Sequence, residues 1–355
     1  HQTHQPPLYY RLTSLIVRAA GRLPLAAQLR WARLFSALLC AGVIGLTWAT
    51  ARTLFPTRPG LAGLIAFFVL CLPMHTFAYA MVNNDNLVAF FVCAQVWLAA
   101  RTVRFGLRPL EMLAQTALVA LALLTKRTGF IAPVLWALTL FVAGWEGLRR
   151  RRGALIALGA LAALLLAGAL LSIAARPFLR QLWSGFFHLP KDVLELAFGG
   201  RYAEALVKTP YLYYSRMIFE SFWARFGWLN VRLAEGWYFV VAGFCGLAGL
   251  GLLRLGASSR RRIITLQAYQ WRTLLVFLSV ALLAYALIMA KEVLFLSYAV
   301  GVVPQGRYLF PVVIPLGTLF VVGLAQWVPA GRERLAGYVG AALLVTFDAL
   351  CIVGY

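Results

Sequence analysis

Apolar residues in this chain come in runs close to a membrane's thickness, broken by short polar or basic interruptions. Neither the alternation of a half-buried strand nor the one-sided stripe of a soluble helix accounts for them. A helix crossing about 30 Å of hydrocarbon needs roughly 20 mostly apolar residues, and on that measure the pattern predicts about ten transmembrane helices. They fall at 34–51, 61–80, 86–100, 109–125, 129–146, 154–175, 236–253, 273–290, 308–328 and 335–355. The third and fourth are short or interrupted, and residues 125–128 leave only a tight turn between the fourth and fifth.

Two longer segments break the rhythm. Within 11–33, Leu12, Leu15, Ile16, Ala19, Ala20 and Leu23 recur at helical spacing while Arg11, Arg18 and Arg22 fall on other faces. That spacing predicts an amphipathic helix lying in the membrane interface. Residues 176–235 mix Trp, Tyr and Phe with Arg and Lys (WSGFFHLPK, TPYLYYSR, ESFWARFGW), the composition of a partly helical cap at headgroup level. The expected organisation is therefore an outer loop and interfacial helix over 1–33 and a first set of transmembrane helices over 34–175. The cap segment follows over 176–235, and a second transmembrane set over 236–355.

Composition agrees: 62% of the 355 residues are hydrophobic and 12% charged, which excludes a soluble domain. The 33 Lys and Arg far outnumber the 11 Asp and Glu, and they set the orientation. Basic residues collect on the cytoplasmic side in short loops. Alternate connections carry Arg52 and Arg58, then Arg101, Arg104 and Arg108, then the arginine run 149–152, then Arg254, Arg260, Arg261, Arg262 and Arg272, and finally Arg332 and Arg334. Those loops are assigned to the cytoplasm. The start of the chain is then outside, and an eleventh helix upstream is expected to bring it there. A basic surface of this kind suits anionic lipid or a phosphate-bearing substrate; with no soluble basic domain, nucleic acid is not a partner. The cysteines Cys40, Cys71, Cys93, Cys245 and Cys351 all sit in apolar runs without CxxC spacing and read as buried small hydrophobes.

Acids are scarce enough to locate candidate chemistry by elimination. On the outer side lie Asp85, Asp192, Glu195, Glu204, Glu220, Glu235 and Glu292. In VNNDN, Asp85 stands between two apolar helices with three amides around it; it is either an acid with a partner or part of a helix-capping turn. TKRTG at 125–129 sets Lys126 and Arg127 in a tight turn at the depth of a lipid phosphate. PQGRYLFP at 304–311 carries Arg307 after a glycine that lets backbones approach, and arginine can grip a phosphate with two hydrogen bonds. Snorkelling to ordinary headgroups is the plainer reading of these cations. His75 is expected to be a hydrogen-bonded residue within the membrane, and no histidine spacing supports a zinc site.

In order along the chain, HQPPLYY, VNNDN, LALLTKRTG, ESFWARFGW and PQGRYLFP resemble the GT-C membrane glycosyltransferases, of the protein O-mannosyltransferase and aminoarabinose transferase type. The likeness is strongest to a bacterial branch of polytopic proteins with a QGRY motif. It implies an all-α polytopic GT-C-like bundle in the bacterial plasma membrane with its active face extracytoplasmic. The implied activity moves a hexosyl or pentosyl group from a polyprenyl-phosphate donor to a glycan, lipid or protein acceptor. Membrane lipids are the other expected partners. The family's general base lies just before the PPLYY-like element, but residues 1–33 contain no Asp or Glu; that base is expected upstream of His1 or absent. Asp85 matches a second family acid and is the catalytic candidate of this chain. A divalent metal is the one cofactor the likeness admits, with Asp85 as its candidate ligand. Lys126, Arg127 and Arg307 match donor-phosphate positions, and His4, Tyr9, Tyr10, Asn84, Gln305, Tyr308 and Trp223 are candidate cavity residues. Asp85, Lys126 and Arg307 are expected to line one cavity below the cap. Two other classes remain open: a non-catalytic structural membrane subunit, and a transporter or flippase of lipid-linked sugars. The latter predicts matching interrupted halves, and the sequence shows none.

Overall fold

A computed structural model of the chain describes residues 6–21, 23–147, 200–227, 229–256, 266–297, 303–329 and 331–353. The 154–175 span, most of the first part of the cap segment and His4 lie outside them. Among the described residues the fold is an all-α bundle with one small β-hairpin of two two-residue strands. Among the described residues six helices are long and apolar enough to cross a membrane, or seven if one bent pair counts as a span; two shorter apolar helices join them.

The first difference from the sequence pattern is at the start. Residues 11–33 are not one interfacial helix: α1 (Leu8–Ala19) ends before Gly21, and α2 (Leu25–Leu54) begins directly after Pro24. Proline lacks the amide hydrogen that would continue the earlier helix, yet it is suited to lead into the next. Residues 25–33 are thus the first turns of a 30-residue helix, and the boundary expected between 33 and 34 falls inside it.

The 61–80 run is broken as well. α3 (Pro59–Leu70) and α4 (Pro73–Tyr79) meet at an angle of 62°, because Pro73 removes the hydrogen bond that would carry α3 onward. α5 (Asn84–Phe105) is longer than the expected 86–100 span and uninterrupted; its last turns hold Arg101 and Arg104, whose charges reach the bundle's end. α6 (Pro109–Thr125) returns antiparallel, and a 3-10 turn (Arg127–Phe130) leads into α7 (Ile131–Gly147).

After the undescribed stretch come α8 (Gly200–Lys208), α9 (Tyr211–Trp223), the hairpin of β1 (Arg225–Phe226) with β2 (Val231–Arg232), and α10 (Glu235–Gly256). α11 (Ala268–Ser297) continues through Lys291 and Glu292, past the point where hydropathy alone ends the span. A 3-10 segment (Gly306–Val312) with Pro311 inside it opens the next crossing, completed by α12 (Val313–Ala325). α13 (Glu333–Val353) packs at the rim against α3, with only 6% of its apolar window fully buried. α5 is the central column, packed against α2, α6, α7 and the 306–312 segment.

The two ends of α5 carry different chemistry. At its C-terminal end Arg101 donates from Nε and Nη2 to Glu111 Oε1 at 3.0 and 2.8 Å, Arg104 donates to the Thr53 carbonyl, and Arg52 to the Pro56 carbonyl. At the other end, roughly 24 Å away along the helix, stands Asp85. Beside that end, α9 is fastened to the hairpin and α10 by charge: Glu220, its side chain only 2% exposed, meets Arg216 at 2.6 Å, Arg225 at 2.7 Å and Arg232 at 3.5 Å. Arg216 and Arg232 also pair with Glu235 at the start of α10.

A buried carboxylate with several guanidinium partners cannot be removed without leaving those charges uncompensated. Glu220→Ala is expected to lower stability by about 3 kcal/mol, read as a drop in melting temperature of the detergent-extracted protein, whereas Glu204→Ala, in the exposed pair with Lys208, should leave it unchanged.

Candidate functional site

The antiparallel run of α5 and α6 brings the start of one beside the end of the other. Lys126, in extended backbone after α6, thereby places its ammonium 2.5 Å from Asp85 Oδ1. Gly129 makes the turn possible: a Cβ there would press on the Ala122 backbone of α6. The third member comes from far along the chain. Gly306 lies so close to α9 that a Cβ would collide with the Ile218 carbonyl and the Phe222 amide, and its own N–H donates to Ser221 Oγ at 2.7 Å. That contact carries Arg307 to 3.7 Å (Nε) from Asp85 Oδ2.

Asp85, Lys126 and Arg307 thus form one cluster with side-chain exposures of 7, 14 and 22%. The arrangement is incomplete in one respect. Asp85 Oδ2 and Arg307 Nε face one another beyond hydrogen-bond reach, and among the described residues neither has another hydrogen-bond partner. The Tyr308 ring lies beneath the cations: Lys291 is 4.5 Å from its centroid, Lys126 5.6 Å and Arg307 5.8 Å. Lys291 pairs in turn with Glu292 at 2.9 Å, and Glu292 is fully buried. This second ion pair escaped the sequence reading, which took it as loop beyond the 273–290 span; the signal was the KE step interrupting an apolar run.

The three amides of VNNDN shape the turn. Asn83 caps α5, its Oδ1 accepting from the Asp85 amide at 3.1 Å. Asn86 donates to the Ala78 and Met81 carbonyls. Asn84 reaches across to the Tyr10 hydroxyl at 3.4 Å, near the limit for a hydrogen bond. These amides are occupied with the backbone and with α1. Among the described residues no group of three His, Cys, Asp or Glu could hold a metal. The surroundings of Asp85 do not fit a divalent cation, because Lys126 and Arg307 already apply positive charge from both sides.

A cavity of about 470 Å³ opens between α1 and the 81–84 turn. Tyr9, Tyr10, Thr13 and Ser14 line one wall and Asn83 and Asn84 another, and Arg307 joins the lining; Asp85 and Lys126 do not, so of the three charges expected to line one cavity Arg307 alone borders this one. Burial holds the Tyr9 phenol above its ordinary range, and Tyr10 is raised by burial and then by the charges of Tyr9 and Asp85. Both therefore stay neutral hydroxyls at physiological pH, and α1 presents a wall of uncharged hydrogen-bonding groups beside a cation.

Other expected positions fall elsewhere. Trp223 does not line the cavity; it is buried in an aromatic cluster with Phe68, Phe222, Phe320 and Phe347, since large rings at this junction of α3, α9, α12 and α13 fill core volume. Gln305 is half-buried, and its carbonyl accepts from the Tyr308 amide. Arg127 opens the 3-10 turn. His75 is not hydrogen-bonded among the described residues; its ring is fully buried against Tyr79 and Phe310 at 4.7 and 5.3 Å.

The pairing has a measurable energetic signature. Lys126→Met leaves Asp85 buried with only a distant Arg307, and is expected to destabilise the protein by about 3 kcal/mol. The double variant with Asp85→Asn should recover most of that loss, because no uncompensated charge remains. Thermal unfolding of the wild type, both singles and the double in one detergent checks it; additive effects would show that the two residues do not couple.

With the geometry in place, comparison with known proteins is informative for one part of the chain. Residues 4–172 match the model of a family described as dolichyl-phosphate-mannose-protein mannosyltransferase. Two crystal structures of ArnT from Cupriavidus metallidurans, one bound to undecaprenyl phosphate and one in the apo state, are each 18% identical to this chain. They cover 94% and 93% of it and 68% and 67% of their own lengths, with TM-scores of 0.37 and 0.36. No curated protein matches it in sequence. The matched segment holds α1, Asp85 and Lys126, and Arg307 joins them from outside it. Through residues 4–172 the chain is similar to the dolichyl-phosphate-mannose-protein mannosyltransferases, in keeping with the GT-C membrane glycosyltransferase type that its motifs resemble.

Proposed function

We propose that the protein is a membrane glycosyltransferase that moves a sugar from a polyprenyl-phosphate donor to an extracytoplasmic acceptor. The observation that carries this reading is the convergence of Lys126 and Arg307 on one carboxylate, with Arg307 also bordering a hydroxyl-lined cavity. A lipid-linked sugar has that same sequence of chemistry: a phosphate for the cations, a polyol for the hydroxyls and amides, and an isoprenoid tail for the surrounding lipid. The family match of residues 4–172 supports the same reaction class.

In this reading Lys126 and Arg307 bind the donor phosphate by charge-assisted hydrogen bonds, and they oppose the negative charge that grows on it as the glycosidic bond breaks. Tyr10, Thr13 and Asn84 orient the sugar ring. Asp85 keeps the two cations apart and fixed before the donor arrives. Its Oδ1 is already engaged by Lys126. Its part is electrostatic, and the base that activates the acceptor is a different group. The arginine-rich far end of α5 suits the cytoplasm, which turns the cavity outward in a bacterial inner membrane.

Arg307→Ala should lower donor turnover by about 100-fold, the scale seen when one transition-state donor is removed, while leaving the detergent-extracted protein folded. Transfer from a radiolabelled polyprenyl-phosphate sugar measures it, and an unchanged rate would remove Arg307 from the reaction.

A further inference from the structure

We propose that the arginine-rich end of α5 is a binding site for an anionic glycerophospholipid of the phosphatidylglycerol class, with its phosphate on Arg108 and its acyl chains along Phe105, Leu110 and Leu113. The site lies at the opposite end of α5 from Asp85 and is independent of the transferase reading.

The turn between α5 and α6 builds it. Gly106 takes a φ of 86°, a conformation that residues with a Cβ rarely adopt, and the chain therefore reverses directly after Phe105. The reversal folds Arg108 back onto the Phe105 ring, where the guanidiniums of Arg104, Arg108 and Arg101 stand 4.8, 5.2 and 5.5 Å from the centroid. Two of the three are held by protein. Arg104 donates to the Thr53 carbonyl at 2.7 Å, and Arg101 donates twice to Glu111 Oε1. Arg108 differs from both: its side chain is 51% exposed, and among the described residues it reaches Glu111 only at 3.8 Å, beyond hydrogen-bond distance. Its planar fork of donors is open to a phosphate.

Beside the guanidiniums the surface is apolar. Phe105, Leu110 and Leu113 are all exposed, and Leu110 and Leu113, three residues apart, share one face of α6. α5 is long and apolar enough to cross the membrane, so its arginine-bearing last turn stands at headgroup level. A fixed cation above an exposed apolar strip repeats the layout of a phospholipid, phosphate over acyl chain. Arginines that merely snorkel are ordered only when a headgroup meets them; here the ring, the Thr53 carbonyl and Glu111 have already ordered the cluster, which lowers the cost of binding. Charge then selects the headgroup. A choline ammonium would enter beside three guanidiniums and find the Phe105 ring already crowded by them, whereas a glycerol headgroup brings no opposing charge.

The test uses the full chain in detergent micelles containing phosphatidylglycerol or phosphatidylcholine with the same acyl chains, and measures bound lipid by native mass spectrometry. The wild type should hold phosphatidylglycerol about tenfold more tightly than phosphatidylcholine, and Arg108→Gln should weaken phosphatidylglycerol about fivefold, the share of one basic residue near a lipid surface. The same variant should leave phosphatidylcholine binding and the lipid-free melting temperature unchanged. Lys208→Gln, which removes an exposed cation of α8, should change neither lipid. Arg108→Lys keeps the charge without the two-donor fork and should fall between wild type and Arg108→Gln, and it decides the matter if Arg108→Gln does not fold. Equal binding of both lipids by the wild type, equal losses in Arg108→Gln and Lys208→Gln, or a rise in melting temperature with inorganic phosphate as large as with phosphatidylglycerol would overturn the proposal. The first two outcomes mean unselective surface charge, and the last a site for a free anion.

Discussion

A single buried ion pair, Asp85 with Lys126, is the constraint around which the working end of this bundle is arranged. In hydrocarbon surroundings neither charge can stand alone, so the start of α5 and the end of α6 are tied together at the depth where their charges meet. Everything nearby accommodates that tie. Asn83 caps α5 so that Asp85 can occupy its first turn, where the helix dipole favours an anion. Gly129 lets the chain turn sharply enough after Lys126, and the Gly306 contact with α9 brings Arg307 to the far oxygen of the same carboxylate.

The remaining architecture isolates this end from the other. α5 separates an arginine-rich cluster at Glu111 from the cluster at Asp85; among the described residues each leaves buried atoms without a hydrogen-bond partner, Glu111 Oε2 in the first, Asp85 Oδ2 and Arg307 Nε in the second. At Glu220 both carboxylate oxygens meet arginines, as suits a cluster that fastens elements together. What sets the Asp85 cluster apart is access: Arg307 borders the cavity beside α1, and no residue of the Glu111 or Glu220 clusters lines it.

Much of this was legible in the residues. Within the described residues apolar run lengths located the long helices, because the thickness of hydrocarbon sets a ruler that composition must obey, although only six or seven of them are long and apolar enough to cross; the scarcity of acids singled out Asp85. Periodicity misjudged the chain where helices end for local reasons: the break at Gly21 and Pro24, the bend at Pro73, and the continuation of α11 through Lys291 and Glu292. Trp223 misled for a related reason. An interfacial tryptophan and a core tryptophan share the same neighbours in sequence, and only packing against Phe68 and Phe320 distinguishes them.

Sequence by itself determined that this chain is a bundle of apolar helices with a short list of charged residues able to do chemistry, since hydrophobic length and charge cost are properties of the residues themselves. The tertiary structure alone decided which of those charges meet. Asp85 and Lys126 lie 41 positions apart, and Arg307 belongs to a distant segment; no local pattern encodes a separation of 2.5 or 3.7 Å. That distance follows from helix packing, through the close approach at Gly306 and the antiparallel pairing of α5 with α6, and it turns three isolated charges into one site.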